Sequence, residues 1–171
     1  VVLYFSIINI LGKNLPKKIC AKCKRDLSVK EYNPTKTGAP RGACKKCENA
    51  QRNDHVSSSP YAYINRIFSK LKSARQKEEK NFEWEIELDH VKELWDLQQG
   101  ECALSGVYLT WQAGEGKQEH NISIDRKDPN KGYVVGNVQL VAFRVNVMKH
   151  TLGESDFYWW CKNVVAKKEQ F

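Results

Sequence analysis

A chain of 171 residues is long enough for one domain, or for a small domain with an appendage. It is 28% charged with a formal net charge of +8 and a pI near 9.2, which suits a phosphate-bearing partner. The charge is uneven: residues 1–80 hold 18 Lys+Arg against 6 Asp+Glu, and residues 81–171 hold 10 against 14. A basic half that grips phosphates, joined to a mildly acidic half that keeps carboxylates for a cation, is a pattern a nuclease needs. Val1 to Leu11 is the first apolar run. A membrane span needs about twenty residues, so this run is too short. It also lacks the basic start and small-residue cleavage site of a signal peptide. Without an initiator Met, it reads as the start of a fragment or of a processed product.

From Pro16 to Asn53 the pattern is set by Cys20-Ala-Lys-Cys23 and Cys44-Lys-Lys-Cys47, two CxxC pairs with twenty residues between them. Each pair turns tightly enough to present two sulfurs to one ion, and two pairs complete the tetrahedron of a structural Zn²⁺. The intervening residues hold too little apolar material to fold unaided, so the metal is expected to supply the folding energy. Lys22, Lys24, Arg25, Lys45 and Lys46 flank the ligands and read as contacts to a DNA backbone. Four cysteines in metal spacing also argue for a reducing, intracellular compartment.

Ser59-Pro60 marks a helix start, with the serine as cap and the proline in the first turn. Tyr61, Ile64, Phe68 and Leu71 follow at helical spacing, and Arg66, Lys70 and Lys72 are expected on the other faces. That basic surface lies along DNA, or is simply the soluble side of the helix. Asn81 to Leu88 alternates Phe82, Trp84, Ile86 and Leu88 with acidic residues, which predicts a short strand. From Leu88 the spacing changes to Val91, Leu94, Trp95 and Gln98, a helix stopped by Gly100. Asp89-His90 lies within that helical stretch and is not assigned to catalysis. Cys102 and Cys161 lack a second pair and read as buried thiols.

Ile122 to Arg126 alternates apolar and polar side chains and predicts a strand. Pro129, Asn130, Gly132 and Gly136 make the next stretch a loop. Asn137 to Val141 alternates again, and from Ala142 the spacing of Val141, Val145 and Met148 is helical. Asp125 then ends the first strand and Asn146 sits on the helix. Both offer oxygen, which suits a hard cation such as Mg²⁺ or Mn²⁺. His150 is expected one turn beyond Asn146 on the same helix. Phe157, Tyr158, Trp160 and Val164 predict a last helix whose aromatics cover the core; Trp159 and Trp160 either pack there or stack on bases.

Ser123-Ile124-Asp125-Arg126, Gly132-Tyr133, Asn137-Val138-Gln139, Asn146 and Met148-Lys149 together resemble the ββα-metal core of HNH endonucleases, in the branch associated with phages and mobile introns. The resemblance is close over about thirty residues. It implies that Asp125 and Asn146 hold one catalytic Mg²⁺ or Mn²⁺ and that Asn137 ties the loop to the strands. It also implies duplex DNA as substrate and a phage or homing element as source, with the host cytoplasm as the compartment for a phage product. A standard HNH enzyme places its histidine base directly after the aspartate, and here Arg126 stands there. Arginine stays protonated, so its expected role is to hold the scissile phosphate or the charge developing on it. The base is then His120, His150 or metal-bound hydroxide.

The expected fold is α+β: a zinc ribbon-like module over 15–55, a helical DNA-binding region over 60–100, and a ββα-metal core with a C-terminal helix over 101–171. The expected function is a metal-dependent endonuclease cutting duplex DNA, and the alternative is a zinc-dependent DNA-binding protein with an impaired HNH core. No membrane partner and no small-molecule cofactor is expected, and the sequence leaves oligomeric state open.

Overall fold

The computed structural model describes residues 16–77, 83–114 and 116–169. The apolar run Val1–Leu11 lies outside them. By contacts the chain divides into two units, Val1–Asn53 and Asp54–Phe171, and the architecture is α+β, with five α-helices and three two-stranded antiparallel sheets among the described residues.

The first unit is built from two hairpins and a helix. β1 (Lys17–Ile19) pairs with β2 (Asp26–Ser28). A single 3-10 turn, Val29–Glu31, is capped by the Ser28 hydroxyl, which accepts from the Lys30 amide. β3 (Tyr32–Pro34) pairs with β4 (Pro40–Cys44) across a turn closed by Gly38 at φ +84°. The chain then enters α1 (Lys45–Val56). Cys20, Tyr32 and Cys44 are buried, with Leu27, Ala43, Cys23 and Cys47 packed on them. Few of these are true hydrocarbons, and a core this small supplies little hydrophobic stabilisation.

The second unit begins with α2 (Pro60–Arg75). Ser59 accepts from the Ala62 amide at 3.1 Å, and Pro60 opens the helix where its missing N–H costs nothing. Ile64 and Phe68 are buried. α3 (Leu88–Leu97) starts at a reciprocal cap in which the Glu87 amide donates to His90 Nδ1 at 3.1 Å. His90 is therefore a capping residue, and Asp89 pairs with Lys92. The helix ends ahead of Gly100, at φ +76°. β5 (Ile122–Arg126) and β6 (Val138–Ala142) form an antiparallel pair with Asp125 opposite Gln139. α4 (Phe143–Lys149) follows directly, then α5 (Glu154–Lys168). Ile64, Phe68, Val91, Leu140 and Val141 belong to one core. Gln98 ties α3 to β6 by giving Nε2 to the Leu140 carbonyl and accepting the Leu140 amide, at 2.8 and 2.9 Å.

Four expectations change here. Residues 83–87 do not form a strand; Asn81 and Phe82 lie outside the described residues. Trp84 and Ile86 do turn inward, as the alternation requires. Their partner is one loop residue, Tyr133, whose backbone takes the Glu83 carbonyl and the Glu85 and Ile86 amides, so the ladder ends after one bridge. The helix after β6 starts at Phe143, Val141 is a buried strand residue, and Met148 is 57% exposed. On α5 only Phe157 is buried, while Trp159 and Trp160 stand in solvent. Cys161 is half-buried rather than buried, whereas Cys102 is buried and accepts the Ala142 amide on its sulfur at 3.3 Å. No helix of the described residues is long and apolar enough to cross a membrane.

Candidate functional site

The four cysteines of the first unit converge. Cys20 and Cys23 lie on the turn joining β1 to β2; Cys44 ends β4 and Cys47 sits in the first turn of α1. The second pair thus straddles a strand end and a helix N-terminus. The sulfurs all lie within 4.8 Å of one another, with Cys20–Cys47 at 3.9 Å and Cys23–Cys44 at 4.0 Å. A tetrahedron with Zn–S bonds of about 2.3 Å has edges of about 3.8 Å, so the set fits zinc. Donors aimed at the sulfurs support the same reading. Backbone N–H groups of Cys23 and Cys44 hold the Cys20 thiol down at about 6, and the Arg25 guanidinium, 3.4 Å from the Cys23 sulfur, lowers that thiol as well. Cys47, which shares hydrogen bonds with the Cys44 sulfur, is pushed up to about 12. The anionic sulfurs in turn raise Arg25.

The flanking cations are exposed but not all loose. Lys22 donates to Gln51 at 2.5 Å, and Lys45 donates to the Lys30 carbonyl at 2.6 Å. Lys24 takes φ +59° to close the first turn, and Lys46 is exposed on α1.

The second cluster lies on β5, β6 and α4. Alternation along β5 places Ser123 and Asp125 on one face. α4 crosses that face, so that Asn146 Nδ2 donates to Ser123 Oγ at 2.7 Å. One turn later Lys149 Nζ reaches Asp125 Oδ1 at 3.2 Å and the Arg126 carbonyl at 2.7 Å. Gln139, the cross-strand neighbour of Asp125, gives its Nε2 both to Asp125 Oδ2 at 3.0 Å and to Glu154 Oε1 at 2.7 Å. Asp125 is 5% exposed and Lys149 is fully buried. The site is therefore a closed network: Lys149 and Gln139 on Asp125, with Glu154 behind Gln139.

Arg126 points away from this face. Its Nη1 donates to the Lys131 carbonyl at 3.0 Å, and its guanidinium lies 5.2 Å from the Tyr133 ring centre. Asn137 staples the loop between the strands. Its side chain accepts the Asp128 amide at 3.0 Å and donates to the carbonyls of Asp128 and Gly132 at 3.2 and 2.9 Å. Gly132 must be glycine, because a Cβ there would stand 2.1 Å from the Glu83 carbonyl oxygen. Both histidines are exposed. His150 is not on the helix face but at the α4 cap, at φ +49°, with Nδ1 3.2 Å from Thr151 Oγ1. His120 contributes its carbonyl to the Thr110 amide.

A cavity of about 430 Å³ opens beside the hairpin, lined by Arg66, Lys70, Lys117, Gln118, Ser123 and Phe143 among others. Arg66 and Lys70, one turn apart on α2, face it together. Lys72 turns elsewhere: it pairs with Glu87 at 3.5 Å and covers the Phe68 and Trp84 rings.

Sequence reasoning missed four contributors. Lys149 and Gln139 stood inside the motif string, and strand pairing plus helical spacing, applied to Asp125, point at both. Glu154 carried no such signal, because its place depends on how α5 returns. Asn121, buried, bridges Thr110, Gln112 and the Tyr63 hydroxyl and shapes the cavity wall.

No family model matches the chain, and no curated protein matches it. Among solved structures it is similar to the rare-cutting HNH restriction endonuclease PacI, at 16% identity and a TM-score of 0.36, over 81% of this chain and 86% of that one. At that TM-score the likeness decides neither the fold nor the activity of this chain.

Proposed function

We propose that this chain is a metal-dependent endonuclease of the HNH type that hydrolyses phosphodiester bonds in duplex DNA. The observation that carries the reading is the strand–loop–strand–helix unit in which Asp125 and Asn146 rise on one face while Asn137 pins the loop. Zinc, held by Cys20, Cys23, Cys44 and Cys47, keeps the first unit folded and presents Lys22, Lys24, Arg25, Lys45 and Lys46 to the phosphate backbone. Arg66 and Lys70 receive the duplex along the cavity beside the hairpin.

Asp125 and Asn146 are the residues that would hold a Mg²⁺ or Mn²⁺, through a carboxylate and an amide oxygen. Bound there, such an ion supplies an activated water and compensates charge on the phosphate. Lys149 fixes the Asp125 carboxylate and balances its charge, and Glu154 adds a second carboxylate through Gln139. On this face Asp125 and Glu154 stand against Lys149 alone, which leaves one net negative charge to draw the cation in. His150 or His120 takes up the proton. Arg126, held by the Lys131 carbonyl and the Tyr133 ring on the other side of β5, reaches the scissile phosphate only by leaving that shelf. Origin in a phage or a mobile intron remains part of the proposal through the sequence resemblance alone.

A labelled duplex incubated with Mg²⁺ or Mn²⁺, and competed by unlabelled duplex DNA or RNA, tests the reading. Divalent-dependent cutting, suppressed better by DNA than by RNA, is expected. Preference for RNA would sink it.

One observation favours a second reading. Both Asp125 oxygens are already engaged, by Gln139 and by Lys149. A chain with that carboxylate permanently satisfied would be a zinc-dependent DNA-binding protein with an impaired nuclease core. Tight duplex binding with no cleavage across both metals and a range of pH would establish it.

A further inference from the structure

α5 is a 15-residue helix with a single buried side chain, Phe157. Tyr158, Trp159, Trp160, Val164 and Val165 are 46, 57, 55, 67 and 55% exposed. The helix is held to its own unit near its start, where Glu154 accepts from Gln139 and the Tyr158 hydroxyl donates to the Leu104 carbonyl at 3.1 Å. An apolar surface of this kind, centred on two tryptophans, is the composition of an interface core rather than of a solvated face.

The order of residues says what fits it. Asp156, Trp160, Asn163 and Lys167 follow one another at spacings of four, three and four, so they form one stripe, roughly a quarter turn from Phe157. All four are exposed. Trp159 and Val164 flank the stripe, and the Trp159 and Trp160 rings meet edge to face at 4.8 Å. The stripe is acidic at its start, aromatic in the middle and basic at its end, with Glu154 and Asp156 in the first turn and Lys167 and Lys168 in the last. Its two charged ends stand about 16 Å apart. A surface with that pattern is complementary to itself when reversed. A second α5 running antiparallel sets Asp156 against Lys167 at both ends and Trp160 against Asn163 between them. A parallel partner would instead place Asp156 on Asp156.

We propose that α5 is a dimerisation helix, through which two copies of this chain pair antiparallel about a two-fold axis beside Cys161 and Lys162. Such an interface is isologous, so every contact occurs twice. A single helix pair buries less than a standard stable interface, so the dimer is in reversible, concentration-dependent exchange with monomer. The pairing stands whether or not the ββα site cuts DNA.

Sedimentation equilibrium of the full, zinc-loaded chain tests the proposal, from low micromolar to a few hundred micromolar. The expected mass rises with concentration from 19.7 kDa towards twice that value. Trp160→Glu stays at the monomer mass throughout, with an unchanged far-ultraviolet circular dichroism spectrum because the side chain is exposed. Asp156→Lys and Lys167→Asp each weaken association about ten-fold, since each turns two attractions into repulsions. The double swap restores it. A wild-type chain that stays monomeric overturns the proposal, as does a dimer that survives Trp160→Glu. Failure of the double swap to recover association overturns the antiparallel register. Loss of DNA binding by Trp160→Glu at an unchanged monomer mass would assign the patch to nucleic acid instead.

Discussion

Lys149 gives the sharpest single test of the ββα network. Its ammonium has no exposure to water and holds two acceptors, Asp125 Oδ1 at 3.2 Å and the Arg126 carbonyl at 2.7 Å. Lys149→Met keeps the stem in the core and removes both donors. The carbonyl then costs about 1–3 kcal/mol as an unsatisfied buried acceptor. The carboxylate keeps Gln139 but loses its opposite charge, and breaking a buried pair from one side costs about 3–5 kcal/mol in all. For a unit of this size that is a fall in melting temperature of roughly 10–20 °C. All five tryptophans, Trp84, Trp95, Trp111, Trp159 and Trp160, lie in the second unit, so tryptophan fluorescence during urea or thermal unfolding reports on it directly. Asp125→Asn/Lys149→Met removes both charges and is expected to recover at least about 1 kcal/mol relative to additivity, read as a double-mutant cycle. Lys127→Met, at an exposed position, is the control and changes stability by under about 0.5 kcal/mol. A Lys149→Met protein within about 1 kcal/mol of wild type, with additive effects in the cycle, would refute the ion-pair reasoning.

Other consequences follow from the same geometry. Cys44→Ser removes one sulfur and the strand-to-helix corner, so bound zinc is expected to fall from one ion per chain to none by metal analysis; retention of stoichiometric zinc would contradict the four-sulfur site. Gly132→Ala drives a Cβ into the Glu83 carbonyl and should cost about 2–4 kcal/mol in fluorescence-monitored unfolding, where an exposed loop glycine would cost almost nothing. Arg66→Ala and Lys70→Ala are each expected to weaken duplex binding and reduce its salt dependence by about one counterion, while Lys72→Ala, already paired with Glu87, should leave the slope nearly unchanged in fluorescence anisotropy titrations.

Much of the second site was legible because it is local. Ile122–Arg126 and the stretch from Asn137 alternate at period two, and the hairpin they form is antiparallel with Asp125 across from Gln139. The CxxC spacing likewise announced a cluster whose geometry suits zinc. What failed depends on contacts made far along the chain. Trp84 and Ile86 alternate as a strand does, yet their partner is a single loop tyrosine and the ladder stops. His150, four residues after Asn146, looked like a helix neighbour, but the helix ends at Lys149 and His150 turns to a left-handed cap. Lys149 reads as a surface cation in any composition-based view, and only the crossing of α4 over β5 shows why it is buried. The aromatics of α5 satisfy a core pattern in one dimension, but of that helix only Phe157 is buried.

The proposed activity is tested most directly by supercoiled plasmid incubated with Mg²⁺ or Mn²⁺ and wild type, Asp125→Ala, Asn146→Ala or Arg126→Ala protein, with binding of each to the same plasmid followed by gel shift. The wild type is expected to open the supercoiled form only with a divalent ion, while Asp125→Ala and Asn146→Ala bind but do not cut; the Arg126→Ala rate decides whether that guanidinium meets the phosphate or only packs on Tyr133. Binding by the wild type without any cleavage, or equal cleavage by Asp125→Ala, would contradict a nuclease centred on this ββα site.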